Sequence, residues 1–327
     1  MFLGVDGGGT KTAYALIDAE GNIRASHTSG SVSHLSEGFA RAAALLGDGI
    51  RAVLREGGIA AASVDFAFLG LGAYGEDSAT TGQMDAMPSG VIDSSKYRCG
   101  NDMICSWAGS LACRDGISVI AGTGSMAYGE YEGRTARAGG WGELIGDEGS
   151  AYWIAREGMS LFSRMSDGRA ARGPLLALVR ERLALASDLD LCARIYGEQA
   201  NTRGAFARFA QLIDEAADAG DEQAREIFVR AAGELAACVR AVRSMIRAPD
   251  GVVLPVSYSG GAFAGSPLLL NAFSTALAGG PAFELRAPLF PPVLGAALYA
   301  AKLAGSPLSA EVVKRLGEQC ATAELPR

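Results

Sequence analysis

The sequence predicts an α/β fold of two lobes with a cleft between them. Its 327 residues suggest about two domains, and a chain of that size can bury roughly 75% of its unfolded surface. A pattern of strand, glycine turn and returning strand, followed by helices, occurs twice, starting near residues 2 and 117. Short apolar runs alternating with long periodic helices are the mark of layered α/β architecture. The expected boundaries are 1–115 for the N-terminal lobe, with the C-terminal helix at about 308–327 as a candidate addition. The second lobe then runs over 116–307 and carries a helical insertion at 151–248.

The elements follow in order. Phe2–Asp6 is a short apolar run ending in an acid and three glycines. Ala13–Ile17 and Ile23–Ser29 flank the turn Asp18-Ala19-Glu20-Gly21-Asn22, which predicts a three-strand meander. Residues 37–56 place Phe39, Ala43, Leu46, Ile50, Val53 and Leu54 on one helical face. Val64–Gly70 and Tyr97–Asn101 read as buried strands, the second followed by Asp102 and a helix over 103–113. Ile117–Ala121 and Met126–Glu132 flank the turn at 122–125, and Gly133, Gly139 and Gly140 mark further turns. Residues 151–248 are helical in pattern, with Asp221 placed to cap a helix. Val252–Tyr258 is a strand before Gly260-Gly261, and Ser266-Pro267 is a favourable helix start. Phe283–Ala287 is the last strand, with helices at about 293–304 and 309–319.

Composition narrows the function. A net charge of -7 and no basic stripe with interleaved aromatics argue against a nucleic-acid partner. The six cysteines form no C-x-x-C pair and there are two histidines, which argues against a zinc site. The apolar stretches fall short of the ~20 residues a membrane span needs, and residues 1–5 carry no basic n-region. The expectation is a cytoplasmic protein with no membrane partner. Glycine, at 44 residues, is about double its usual share of ~7%.

Much of that glycine lies in three turns that follow strands: 6–12, 122–125 and 259–262. Glycine lets backbone N–H groups approach phosphate oxygens without a Cβ in the way. Gly8, Gly9, Thr10, Lys11 and Thr12 in the first turn, and Gly122, Thr123, Gly124 and Ser125 in the second, supply amides, hydroxyls and one charge. Gly260, Gly261 and Ala262 form the third. Asp6 would repel a bare phosphate, and makes sense beside a magnesium ion, which favours carboxylate, water and phosphate oxygens. Neither rival loop fits. Thr10 stands where a Walker A loop needs lysine, the Rossmann spacing breaks at Thr12, and a strand follows instead of a helix. Any one loop alone is no more than a tight hairpin; three with matched hydroxyls point to phosphate binding.

Asp102 sits after a strand and before a helix, where α/β ligand sites lie. As a lone residue it reads equally as a helix N-cap. The stretch Gly139–Ser150 combines Trp141, two adjacent acids (Asp147 and Glu148) and five glycines. An indole face with carboxylates suits a sugar, and a surface loop capped by Asp147 is the equal alternative. His27 reads as structural; His34, at a loop–helix junction, is a minor substrate candidate.

Taken together, these segments resemble the N-acetylglucosamine kinases and the wider BadF/BcrA-type ATPases of the actin/hexokinase superfamily. Gly4–Thr12 is similar to the first phosphate motif, Asn101-Asp102 with Ala108-Gly109-Ser110 to the catalytic-acid segment, and Val119–Ser125 to the second phosphate motif. Gly139–Ala155 is similar to the amino-sugar kinase signature, and Val256–Ala262 to the adenosine motif. The resemblance implies a two-lobed actin-like ATPase (ribonuclease H-like) fold using ATP and Mg²⁺, and points to a homodimer. It implies Asp102 as the base on a sugar 6-hydroxyl, and Gly140, Trp141 and Asp147 on the sugar. Thr10 and Thr123 would meet ATP phosphates, Asp6 would hold Mg²⁺ through water, and Gly261 would lie by the adenosine. Ser33 and Met126 replace asparagines of the animal enzymes, which removes amide hydrogen-bonding capacity. The expected activity is therefore phosphorylation of N-acetylglucosamine or glucosamine. The alternatives are a kinase of a related sugar such as N-acetylmuramate, or an ATPase that activates a radical dehydratase or reductase.

Overall fold

The computed structural model describes residues 1–197, 202–280 and 282–320. The elements run β1 (Phe2–Gly7), β2 (Lys11–Ile17), β3 (Ile23–Gly30), α1 (His34–Glu37), α2 (Phe39–Glu56), β4 (Phe66–Leu71), α3 (Thr81–Ala86), β5 (Tyr97–Asn101) and α4 (Met103–Leu111). Next come β6 (Gly116–Ala121), β7 (Ser125–Tyr131), β8 (Arg134–Gly139), α5 (Ala151–Ser166), α6 (Pro174–Arg182), α7 (Asp190–Tyr196), α8 (Arg203–Ala207), α9 (Ala210–Asp218) and α10 (Glu222–Met245). The chain ends with β9 (Leu254–Ser259), α11 (Gly261–Gly265), α12 (Pro267–Ala278), β10 (Phe283–Arg286), α13 (Pro292–Leu303) and α14 (Ala310–Cys320).

The chain divides into two compact units, Met1–Arg114 with Ala287 onward, and Asp115–Arg286. The first holds a five-stranded sheet of order β3-β2-β1-β4-β5, in which β1, β4 and β5 pair in parallel and β2 runs antiparallel to both of its neighbours, β1 and β3. One face packs Leu46, Ile50 and Val53 of α2 against Val5, Tyr14 and Leu69. The opposite face takes α13: Val293, Ala296 and Ala297 pack with Phe2, Ala15 and Phe68. Residues 287–307, which the sequence reading assigned to the second lobe, therefore belong with the first. The physical reason lies at two glycines. A Cβ on Gly4 would overlap the α13 backbone at Ala297 and Val293, and a Cβ on Gly295 would overlap the α4 backbone at Cys105 and Gly109. Such close approach requires glycine. Of the C-terminal helix expected at 308–327, residues 321–327 lie outside the described part.

The second unit repeats the connectivity: its sheet has order β10-β9-β6-β7-β8, in which β6, β9 and β10 pair in parallel and β7 runs antiparallel to both of its neighbours, β6 and β8. The strand β8 went unread in the sequence, because Arg134-Thr135-Ala136-Arg137 has too little apolar content for a strand signal. One continuous core joins β6 and β9 to α5, α6, α9, α10 and α12, around Phe162, Phe228 and Phe273. Asp221 caps α10 by accepting from the amides of Gln223 and Ala224 at 3.1 Å, and Ser266 caps α12 through the Leu269 amide.

Candidate functional site

In the first unit, register brings two carboxylates to one sheet edge. Asp6 of β1 pairs with Gly70 of β4, and Gly70 pairs with Gly100 of β5. Asp102 is one residue past the end of β5. Asp6 and Asp102 thus stand at the carboxyl ends of parallel strands, where α/β folds place ligands. Gly70 permits this: a Cβ there would overlap Cys105 Sγ and come within 3.1 Å of Asp102 Cα. Asp102 makes no capping hydrogen bond; Asn101 does that work, its Oδ1 accepting from the Met103 amide at 3.1 Å while its Nδ2 donates to the Tyr74 carbonyl at 3.1 Å. Asp102 thus occupies the N-cap position of α4 without its side chain closing the cap.

Burial pushes Asp6 up to about 7, with the Asp102 charge adding to it and Lys11 opposing. Burial likewise raises Asp102 to about 6, with Glu76 adding and the amides of Met103 and Asp102 opposing. Two desolvated, mutually repelling carboxylates favour a hard cation nearby. Among the described residues no group of three or more His, Cys, Asp or Glu is placed to hold a metal by itself. Asp6 and Asp102, as one or two carboxylates at a strand edge, are the kind of donor set magnesium uses when water and substrate phosphates complete its shell.

The first turn is closed by the Gly8 amide donating to the Lys11 carbonyl at 3.0 Å. Ser31 braces it, its hydroxyl donating to the Gly8 carbonyl at 3.1 Å. A Cβ on Gly9 would meet no protein atom, so packing does not demand glycine there. Thr10 and Lys11 are exposed, while the Thr12 hydroxyl is fully buried without a protein partner. Ser33 and His34 open α1, and the His34 ring stacks on Phe39 at 4.6 Å with its Nδ1 buried and unpartnered. Sequence reasoning missed Ser31, Gly70 and Glu76, whose roles arise from contacts distant in sequence.

In the second unit, Gly122 closes its turn by donating to the Gly124 carbonyl at 2.8 Å. Its own carbonyl accepts from the Ala151 amide at 2.8 Å, which ties the turn to the start of α5. Thr123 is exposed, and the Ser125 hydroxyl is committed to the Glu148 carbonyl at 2.7 Å. Ser125 Oγ is therefore a brace, where the sequence suggested a phosphate donor. Gly260 has φ 101°, and a Cβ on it would overlap the Ala121 carbonyl. The third turn thus lies directly on the second. Beside both is a cavity of about 290 Å³ lined by Thr123, Gly261, Ala262, Gly265, Gln211 and Asp214, among others. The α9 wall of this cavity had no sequence signal.

The block 139–150 packs on the same turn. The Gly140 amide donates to the Ser125 carbonyl at 2.9 Å, and Met126 covers Gly140, whose Cβ would meet Met126 Cε at 2.7 Å. Ser150 caps α5 by accepting from the Trp153 amide at 3.1 Å, so Asp147 is not the cap. Asp147 instead holds a left-handed backbone at φ 57° with its side chain almost wholly buried. Burial raises its pKa, while Arg203 and the amides of Ser125 and Gly142 favour its charged form. Arg203, which the sequence did not single out, pairs with Asp147 and with Glu143 at 3.2 Å. Trp141 is 68% exposed, with the Arg137 guanidinium 5.9 Å from its ring.

Several known proteins are similar to this chain over most or part of its length. The chain is 28% identical over 310 residues to the N-acetyl-D-glucosamine kinase of Dictyostelium discoideum, covering 92% of this chain and 97% of that one. Over 143 residues, 43% of this chain and 46% of the relative, it is 38% identical to the N-acetylmuramic acid/N-acetylglucosamine kinase of Clostridium acetobutylicum. A candidate N-acetylglucosamine kinase from Chromobacterium violaceum superposes with a TM-score of 0.70 at 27% identity, over 91% of this chain and 98% of that one. The ROK hexokinase of Thermus thermophilus shares the two-lobed α/β fold, with a TM-score of 0.55 at 19% identity over 91% of this chain and 97% of that one. The model of the BadF/BadG/BcrA/BcrD ATPase family matches residues 3–300, and the chain belongs to that family.

Proposed function

We propose that this protein is an ATP-dependent amino-sugar kinase that transfers the γ-phosphoryl group to the 6-hydroxyl of N-acetylglucosamine or glucosamine. The observation that carries the reading is Asp102, a carboxylate raised to about 6, left free by Asn101 and set beside Asp6 at one strand edge. The names of the Dictyostelium, Clostridium and Chromobacterium relatives support a sugar as the acceptor. At pH 7.5 Asp102 is mostly ionised and able to take the hydroxyl proton as the sugar oxygen attacks the γ-phosphorus. The bond from that phosphorus to the β–γ bridging oxygen breaks, and ADP leaves.

The first unit supplies the base, the Gly8–Thr12 amides and Asp6. The second supplies the Gly122–Ser125 turn, and the 290 Å³ cavity beside Gly261 suits a nucleoside. Asp214, at that cavity wall, suits ribose hydroxyls. Magnesium, held through Asp6, would neutralise phosphate charge. Trp141 offers an apolar face for a sugar ring, and Gly140 and Asp147 of the same block join it on the acceptor side. Ser33 and His34 are further acceptor-side residues, and the buried Nδ1 of His34 supports a hydrogen-bonding role. The reading includes a cytoplasmic homodimer, for which Val229 and Met245, half-exposed on α10, offer apolar surface. An activator of radical enzymes gains no support from Cys99 and Cys105, both buried with thiols pushed up by burial.

The test is ADP release with glucosamine, N-acetylglucosamine, N-acetylmuramate, N-acetylmannosamine and glucose as acceptors. The highest kcat/KM should fall on one of the first two. Absence of turnover with all five overturns the kinase reading.

A further inference from the structure

Arg203 occupies a position that no role given above uses. It opens α8, 56 residues from Asp147, yet its guanidinium pairs with Asp147 and reaches Glu143 at 3.2 Å. It also lies on the phosphate turn, since a Cβ on Gly124 would overlap Arg203 Nη2 and approach Asp147 Oδ2 to 2.7 Å. One cation therefore touches both the acidic block and the turn expected to take phosphate.

The two partners differ in freedom. Asp147 is fixed: its side chain is 3% exposed and is held by the amides of Ser125 and Gly142. Arg203 is 41% exposed on a long side chain and can turn without unpacking the core. A guanidinium forks onto phosphate oxygens as readily as onto a carboxylate, and an ATP phosphate brings more charge than Asp147 or Glu143 alone. Phosphate at the turn would compete directly for Arg203.

We propose that Arg203 is a positioning residue shared between the nucleotide and Asp147. Nucleotide phosphate draws the guanidinium to the Gly122–Ser125 turn, and Asp147 is then free to accept from sugar hydroxyls. Sugar and nucleotide affinities are coupled through this one side chain, and by linkage the coupling is reciprocal. The proposal rests on the kinase reading. A purely structural ion pair would instead make Arg203 equally important with and without nucleotide.

The experiment is calorimetric titration of N-acetylglucosamine into the full chain, with and without a saturating non-hydrolysable ATP analogue and magnesium. Wild type should bind the sugar at least ~5-fold tighter with nucleotide present, the lower end of ordinary couplings. Arg203→Met keeps the apolar stem and should bring that ratio to within ~2 of unity. Arg203→Lys keeps the charge without the fork and should retain part of the ratio while folding as wild type does. A wild-type ratio near one, or an unchanged ratio in both variants, overturns the proposal while leaving the kinase reading intact if ADP release persists. Wild type that neither binds nor turns over any sugar removes both.

Discussion

Replacing Asp102 with asparagine separates its chemical role from its structural cost. The group costs stability, because its folded pKa of about 6 lies above the unfolded value of 3.8. A raised carboxyl pKa leaves stability untouched below pH 3.8 and lowers it progressively as pH rises through about 6. The shift corresponds to about 3 kcal/mol at pH 8 and about 1.6 kcal/mol at pH 5, as upper bounds. Asp102→Asn should therefore gain more at pH 8 than at pH 5, by about 1.4 kcal/mol, whatever constant offset the amide brings. Asp6 adds in the same direction, since removing the Asp102 charge lowers its pKa from about 7. Urea unfolding at the two pH values reads this difference. Loss of a general base should cut kcat by about 10²–10⁴, with the affinity for the ATP analogue held within ~3-fold. In wild type the acid limb of kcat/KM should fall near pH 6, as Asp102 becomes protonated. Turnover within ~3-fold of wild type, or a stability change independent of pH, would refute the assignment of Asp102 as a desolvated base.

Two further substitutions probe the parts proposed to hold the substrates. Gly265 lines the 290 Å³ cavity, and a Cβ on it meets no protein atom. Gly265→Phe should therefore fill the cavity without unfolding the chain, raising KM for ATP at least ~10-fold with the melting midpoint nearly unchanged; an unchanged KM removes the cavity from the nucleotide site. Gly70→Ala places a methyl against Cys105 Sγ and Asp102 Cα. It should cost about 1–3 kcal/mol in urea unfolding and lower kcat beyond what that loss explains, because α4 carries Asp102 outward. Normal kcat in a destabilised variant would mean that Gly70 serves packing alone.

Features that depend on neighbours in the chain were legible in the sequence. The first meander, the hairpin at 117–132, the turn at Gly8–Lys11, the Asp221 and Ser266 caps, and the helices of 151–248 follow from period, capping and glycine placement, all local in range. Asp102 was legible by position, but its freedom was not. That depends on Asn101 capping α4 while reaching across to the Tyr74 carbonyl. Residues 287–307 were misplaced for a related reason. The long apolar face of α13 suits either sheet, and only the pairing of Gly4 and Gly295 with backbone on β1 and α4 selects the first.

The acidic block shows the limit most sharply. Its glycines and acids signal polar recognition, yet composition cannot say which acid is buried, which is exposed, or what neutralises them. Asp147 and Glu143 are four residues apart in a loop, and a single arginine from a helix 56 residues beyond Asp147 answers both. Nothing around Arg203 distinguishes it from other surface arginines until the fold lays it on Gly124. A Cβ at Gly124 would displace that guanidinium, so the glycine serves the ion pair as well as the turn. On the proposed reading, phosphate at the Gly122–Ser125 turn competes with Asp147 for that one cation. The proposed arrangement ties the Gly122–Ser125 turn to the acidic block, and its proper measure is a coupling between two ligands, which the affinity for either one alone does not reveal.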